Sequence, residues 1–233
     1  KLLIVKTLSR QSMVKQIIIG FTTEGATDVR FLESIIQRSF ESVAFECNGQ
    51  IEILPIQHIE KISGNFNDAV KNNAKLAMKI GIMVLCVHCD ADDTEDTSTF
   101  NNKINPAFDN ITKLNDNSIC NNLVAVVPVA MTEAWMLSNT NLLKDEIGTN
   151  KSDAELGIDK HPEKYSNPKA CIENAIRIGR KDLAKHRRRD LTISQLYLPI
   201  GQKIALSDLE NLLSYRRFKE SVRTAFRKLN YLR

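Results

Sequence analysis

Two aspartates end the run Val84-Leu85-Cys86-Val87-His88-Cys89-Asp90-Ala91-Asp92. Residues 82–87 are apolar and read as a buried parallel strand, which puts the acids at its carboxyl end. In extended chain, side chains two positions apart project to the same side. A pair of carboxylates in that position is costly to desolvate without a partner. Hard oxygen donors are matched by a divalent cation, Mg2+ or Mn2+. In the structural alternative, an aspartate here caps the following helix.

Acids also follow other apolar runs. Glu24 and Asp28 come after Ile17-Ile18-Ile19-Gly20-Phe21, across Gly25, where the chain must turn sharply. Glu133 comes after Leu123-Val124-Ala125-Val126-Val127-Pro128-Val129. If a helix begins by Ala26, Asp28 lies one turn beyond Glu24 and can face the same cavity. Independent turns have no folding reason to share this chemistry. Glu24, Asp28, Asp90, Asp92 and Glu133 therefore read as ligands for one or two ions of Mg2+ or Mn2+. Such a site activates a water and stabilises the leaving oxygen in phosphodiester cleavage. The sequence has no GxxxxGKS or GxxxxGKT, no GxGxxG, no GxSxG and no HExxH. This argues against nucleotide-triphosphate hydrolysis by the chain itself, a dinucleotide cofactor, a serine-hydrolase elbow and a zinc protease.

Positioning these acids takes alternating elements. Strands are expected at residues 17–21, 51–56, 82–87 and 123–129, the second interrupted by Pro55. Helices are expected at 26–40, 65–80, 107–114 and 132–137, with Thr23 or Thr27 capping the first and Asn65 or Asn67 the second. This alternation predicts an α/β fold, a central, mainly parallel sheet with helices on both faces. Ligands of such sheets bind beyond the strand carboxyl ends. Helices at 168–180, 207–213 (capped by Ser207) and 216–229 follow a polar, turn-prone stretch. The expected organisation is a core over residues 14–140 and a basic, mainly helical extension over 141–233 packed on it.

The 233 residues are 42% hydrophobic and 26% charged, an ordinary globular balance. No apolar run approaches the ~20 residues of a membrane span. Residues 1–16 lack a signal-peptide core and read as a leader, with Met13 as the start of the folded unit. Five scattered cysteines suit reduced thiols in the cytoplasm. Cys86 and Cys89 match CxxC only formally, because Cys86 lies within the apolar run and no second pair completes a zinc site. From residue 160 onward, 18 Lys and Arg stand against 7 Asp and Glu; the first 159 residues hold 14 and 21. An acidic body with a basic tail suggests cations in one place and a polyanion in another. Lys181, Lys185, Arg187, Arg188, Arg189, Arg216 and Arg217 are the candidate phosphate contacts, a solvated basic surface being the alternative. Trp135 and the stripe Phe218, Val222, Phe226, Leu229 read as packing, and His88 as a core histidine or a neighbour of the site.

An apolar strand, Glu-Gly, a helix and a later strand ending in Asp-x-Asp resemble the TOPRIM domain of topoisomerases, bacterial primases, recombination mediators and OLD-family (overcoming lysogenization defect) nucleases. Glu24-Gly25-Ala26-Thr27-Asp28 resembles the OLD-type version, with Asp28 where many relatives carry Glu. Val127-Pro128-Val129-Ala130-Met131-Thr132-Glu133-Ala134-Trp135 resembles the strand and Glu-x-Trp segment of small stand-alone bacterial TOPRIM proteins. Some of these are encoded beside ABC-type or SMC-like ATPases in antiviral defence loci. The resemblance implies a cytoplasmic, metal-dependent nuclease acting on nucleic acid, DNA ahead of RNA, with an ATPase partner and no membrane. It implies Glu24 as metal ligand and general acid/base, Asp90 and Asp92 as metal ligands, and Asp28 and Glu133 as ligands of a second metal. Lys181 and Lys185 are the candidates for the lysine used in some OLD-type sites. The alternative is a non-catalytic module that binds metal and nucleic acid or docks an ATPase.

Overall fold

The computed structural model describes residues 14–233, apart from the side chains of Arg188 and Arg189. The described residues open with β1 (Lys15–Ile17) and β2 (Ile19–Thr22), one expected strand parted at Ile18. Helix α1 (Ala26–Ala44) follows, then the short strands β3 (Ile51–Ile53) and β4 (Gln57–His58). Pro55 lies between these two and has no N–H to give to a ladder. Helix α2 (Phe66–Lys79), capped by the Asn65 side chain, returns the chain to β5 (Val84–His88). A short α3 (Thr97–Thr99), a π-helical turn (Phe100–Ile104) and α4 (Asn105–Leu114) run consecutively into the loop before β6 (Leu123–Val126). The strand expected to reach residue 129 stops ahead of Pro128 for the same reason as at Pro55.

Every strand pair is parallel, in the order β4-β2-β5-β6, with β1-β3 as a separate pair. The chain moves outward from β2 to β4, then crosses back to β5 on the other side of β2. The β2–β5 boundary is thus the topological switch point, where open parallel sheets place their ligands.

Alternation along the strands divides the core between two faces. Ile19, Phe21, Val84, Cys86, Val124 and Val126 pack with Phe31, Leu32, Ile35 and Ile36 of α1. Leu85, Val87 and Leu123 pack with Val70, Ala74 and Ala77 of α2 and Ala107 and Ile111 of α4. Helices therefore cover both faces of an α/β sheet, as the residue pattern predicts.

The remainder is helical: α5 (Glu133–Met136), α6 (Thr140–Ile147), α7 (Asp153–Leu156), α8 (Pro168–Gly179), α9 (Lys185–Arg189), α10 (Tyr197–Lys203), α11 (Leu206–Leu209) and α12 (Leu213–Lys228). Ser207 lies inside the first turn of α11, whose cap is Ala205, so the expected serine cap does not form. Tyr215, Phe218, Val222 and Phe226 of α12 enter the same cluster as α1 and β6. Trp135 is fully buried, donates from Nε1 to Ser214 Oγ at 2.8 Å, and meets Tyr215 edge-on. The Ala125 N–H at the outer edge of β6 reaches Ser221 Oγ of α12 at 3.4 Å, which helps close that edge. Among the described residues, no helix is long and apolar enough to cross a membrane.

Helix α10 lies directly on α1, and Gly201 permits the approach: a Cβ there would meet the Phe31 carbonyl oxygen at 2.6 Å and Phe31 Cα at 2.9 Å. Both are backbone atoms that cannot swing aside. Gly201→Ala is expected to lower unfolding free energy by about 1–3 kcal/mol, read from the midpoint of chemical denaturation.

Candidate functional site

Thr22 of β2 pairs with Val87 of β5, so the two chains leave the sheet side by side. Glu24 and Asp90 stand just beyond. The Asp90 N–H reaches Glu24 Oε2 at 3.4 Å, and the Glu24 N–H reaches His88 Nδ1 at 3.4 Å. Asp28, in the first turn of α1, folds back so that its Oδ2 accepts the Gly25 N–H at 3.0 Å. This carboxylate closes the helix start in place of Thr23 or Thr27. Gly25 is extended (φ −131°), and a Cβ there would come within 3.1 Å of Asp28 Oδ2. Glycine thus serves close approach of the carboxylate rather than the sharp turn expected.

The β6 end supplies the third side. Thr132 donates its N–H to Asp90 Oδ1 at 3.0 Å, its hydroxyl lies 3.3 Å from the same oxygen, and His88 Nε2 lies 3.1 Å away. Glu133, next in chain, is buried, and its Oε1 accepts the Tyr197 hydroxyl of α10.

Burial raises the Asp28 carboxyl above its ordinary 3.8; the charge of Asp90 reinforces the shift and the Gly25 N–H opposes it. Burial likewise raises Glu133 above 4.5, with the Tyr197 hydrogen bond opposing and the charges of Asp90 and Asp28 adding. Burial, then Glu133, raises the Tyr197 phenol. Glu24 belongs to the same group of acids, its side chain 31% exposed with Lys61 Nζ 3.9 Å from Oε1. Among the described residues, neither Asp28, Asp90 nor Glu133 forms an ion pair with lysine or arginine.

Asp92 stands apart. Its backbone is left-handed (φ 55°), its side chain is 69% exposed, and Lys103 Nζ lies 3.8 Å from Oδ2. The Asp92 N–H bonds the Ala130 carbonyl, whose residue is also left-handed (φ 57°), and the Ala130 N–H bonds the Asp93 carbonyl. The extended chain that would turn Asp90 and Asp92 to one side is therefore absent. Asp90 joins Glu24, while Asp92 lies on the rim with a lysine.

The acids that meet here are oxygen donors of the kind hard cations prefer. Glu24, Asp28, Asp90 and Glu133 offer carboxylate oxygens only, which suits Mg2+ or Mn2+. Asp90 Oδ2 accepts no hydrogen bond among the described residues, while Oδ1 takes three contacts. Cys89 offers no thiolate for a softer metal: burial, then Glu24, pushes its thiol up to about 12. Among the described residues, no three Asp, Glu, His or Cys side chains stand close enough together, as placed, to hold a metal ion.

The candidate phosphate contacts lie on the extension. Lys181, Lys185 and Arg187 are exposed, and Arg180 holds the Arg187 carbonyl at 2.6 Å. The side chains of Arg188 and Arg189 lie outside the described residues. Arg216 bonds the Glu210 carbonyl at 2.9 Å. Arg217 pairs with the buried Asp96, so its charge already serves the loop after β5. Four residues at the site carry no local signal in sequence: Lys61 from the loop before α2, Lys103 from the π-helical turn, Thr132, and Tyr197 from α10. Comparison with family models, with curated proteins and with solved structures finds no match to this chain.

The raised carboxyls set a pH dependence. Between the ordinary values of 3.8 and 4.5 and the raised ones, the native state binds more protons than the unfolded chain. Their stabilising contribution is complete below the ordinary values and is lost as pH rises through the raised ones. Cations compete with these protons, so Mn2+ is expected to raise the melting temperature more at pH ~8 than at pH ~5. Asp28→Asn is expected to flatten the metal-free decline; thermal melts across pH with and without Mn2+ measure both.

Proposed function

We propose that this chain is a Mg2+- or Mn2+-dependent nuclease of TOPRIM type. On this reading it acts in the cytoplasm, with an ABC-type or SMC-like ATPase, as the effector of an antiviral defence system. The observation that carries the proposal is the meeting of Glu24 and Asp90 across the switch point, with the Asp90 N–H 3.4 Å from Glu24 Oε2 and the buried Asp28 and Glu133 beside them. When bound, a divalent cation supplies charge neutralisation at the phosphodiester and lowers the pKa of an attacking water. Glu24 and Asp90 would hold that cation. Glu24 is the more exposed, so its carboxylate can also take a proton from the water or return one to the leaving oxygen. Asp28 and Glu133, both buried and electrostatically coupled to Asp90, add negative field. Lys61 and Lys103 put positive charge on the rim, where a polyanion must approach. The exposed Lys181, Lys185 and Arg187 add sequence-independent attraction to nucleic acid.

A non-catalytic module that binds metal and nucleic acid, or docks an ATPase, is the second reading. It is favoured by the engagement of Glu133 by Tyr197 and of Asp92 by Lys103, which leaves fewer ligands for a second ion.

Purified chain incubated with plasmid DNA or RNA is expected to cleave with Mg2+ or Mn2+ and not with EDTA. Glu24→Ala and Asp90→Ala are each expected to slow cleavage by about 100-fold or more, measured by gel. Cleavage in EDTA, or cleavage indifferent to both changes, overturns the reading; no cleavage with the ATPase neighbour present favours the module. In a separate salt titration, glutamine at Lys181, Lys185 and Arg187 is expected to reduce the slope of log affinity against log salt by about 0.9 per lost contact on duplex DNA.

A further inference from the structure

His88 lies at the centre of the carboxylate group and is itself uncounted among the acids. It is the last residue of β5 and only 3% exposed. Its Nδ1 faces the Glu24 N–H at 3.4 Å, an arrangement that needs an unprotonated Nδ1. This assigns the ring proton to Nε2, which lies 3.1 Å from Asp90 Oδ1 and 3.1 Å from Thr132 Oγ1. One imidazole therefore touches all three strand ends: the backbone after β2, the carboxylate after β5 and the hydroxyl after β6.

The consequence falls on Asp90. Its Oδ1 is approached by the His88 Nε2–H, the Thr132 N–H and the Thr132 hydroxyl, at 3.1, 3.0 and 3.3 Å. A carboxylate held this way cannot rotate about its Cβ–Cγ bond without breaking contacts made by His88 of its own strand and by Thr132 at the end of β6. Oδ2 is then the oxygen left without a hydrogen bond among the described residues. Meanwhile the Nδ1 contact fixes the Glu24 backbone, so the two acids that face each other across the switch point are oriented by one ring.

We propose that His88 is a positioning residue that aims Asp90 Oδ2 at a divalent cation through its Nε2–H and steadies Glu24 through Nδ1. The inference rests on the cation reading of the site and adds the group that sets its geometry. Hydrogen-bonded partners of metal-ligating groups commonly govern affinity in this way. A histidine that merely filled the core would make a different demand. Any side chain of similar volume would then serve, and the position of its donor would not matter.

Glutamine and asparagine separate the two roles. The amide N–H of His88→Gln reaches the place of Nε2, whereas the shorter amide of His88→Asn reaches only the place of Nδ1. The experiment is Mn2+ binding to the full chain, by calorimetry and by the electron paramagnetic resonance signal of free Mn2+, with folding followed by circular dichroism. His88→Gln is expected to bind within about threefold of wild type, while His88→Asn and His88→Ala lose about ten- to a hundredfold. Wild-type affinity in His88→Ala, or equal loss in the Gln and Asn variants, overturns the inference; the Gln–Asn pair decides it should the Ala variant fail to fold. A wild-type chain that takes up no Mn2+ overturns the cation reading and this inference together, an outcome distinct from wild-type uptake matched by every variant.

Discussion

The parallel pairing of β2 with β5 is the constraint on which the site depends. Ile19 opposite Val84 through Thr22 opposite Val87 fixes where the two chains leave the sheet. The next residues in each chain must share the space beyond, and those residues are Glu24 and Asp90. A shift of one position would turn every side chain of β5 to the other face and exchange the sets packed by α1 and by α2. The burial of Phe21 and Cys86 on one face and Leu85 on the other therefore holds the acids in place. Hydrophobic packing at the middle of the strands is what forces like charges together at their ends.

That crowding has its own cost, and the surroundings show how it is met. Asp28 and Glu133 are buried close to Asp90, and their carboxyls are raised accordingly. Neutral and backbone donors carry much of the compensation: the Gly25 and Thr132 N–H groups, His88 and the Tyr197 hydroxyl. Such donors orient a carboxylate without cancelling its charge, whereas a bidentate arginine would do both. The arrangement preserves negative potential at the strand ends while fixing the direction of each acid.

The helical extension takes part in this arrangement. Tyr197 of α10 meets Glu133, Arg217 of α12 neutralises Asp96 in the loop after β5, and α12 completes one face of the sheet. Sequence reading treats residues 141–233 as a basic surface packed on a core, and in part they are: Lys181, Lys185 and Arg187 are exposed. Arg217 shows why composition alone cannot sort such residues. An arginine facing solvent and one matched to a buried aspartate look the same in a charge count, because the partner lies 121 positions away.

Local chemistry was legible wherever its cause is local. Apolar runs end in acids at Glu24, Asp90 and Glu133, and alternating elements require a parallel sheet with helices on both faces, because periodicity and burial act over a few residues. Pro55 marks an interruption by the same logic, since it lacks a backbone donor; Pro128 carries the same signal, but the apolar run reads through it to residue 129. Tertiary structure decided which acids meet. Asp92 leaves the group because its backbone turns left-handed to bond Ala130, a constraint that comes from the neighbouring chain after β6. Thr132, Lys61, Lys103 and Tyr197 enter the site or its rim because sheet order and register bring distant turns together. No spacing within the chain encodes those encounters; they follow only once β2, β5 and β6 lie side by side.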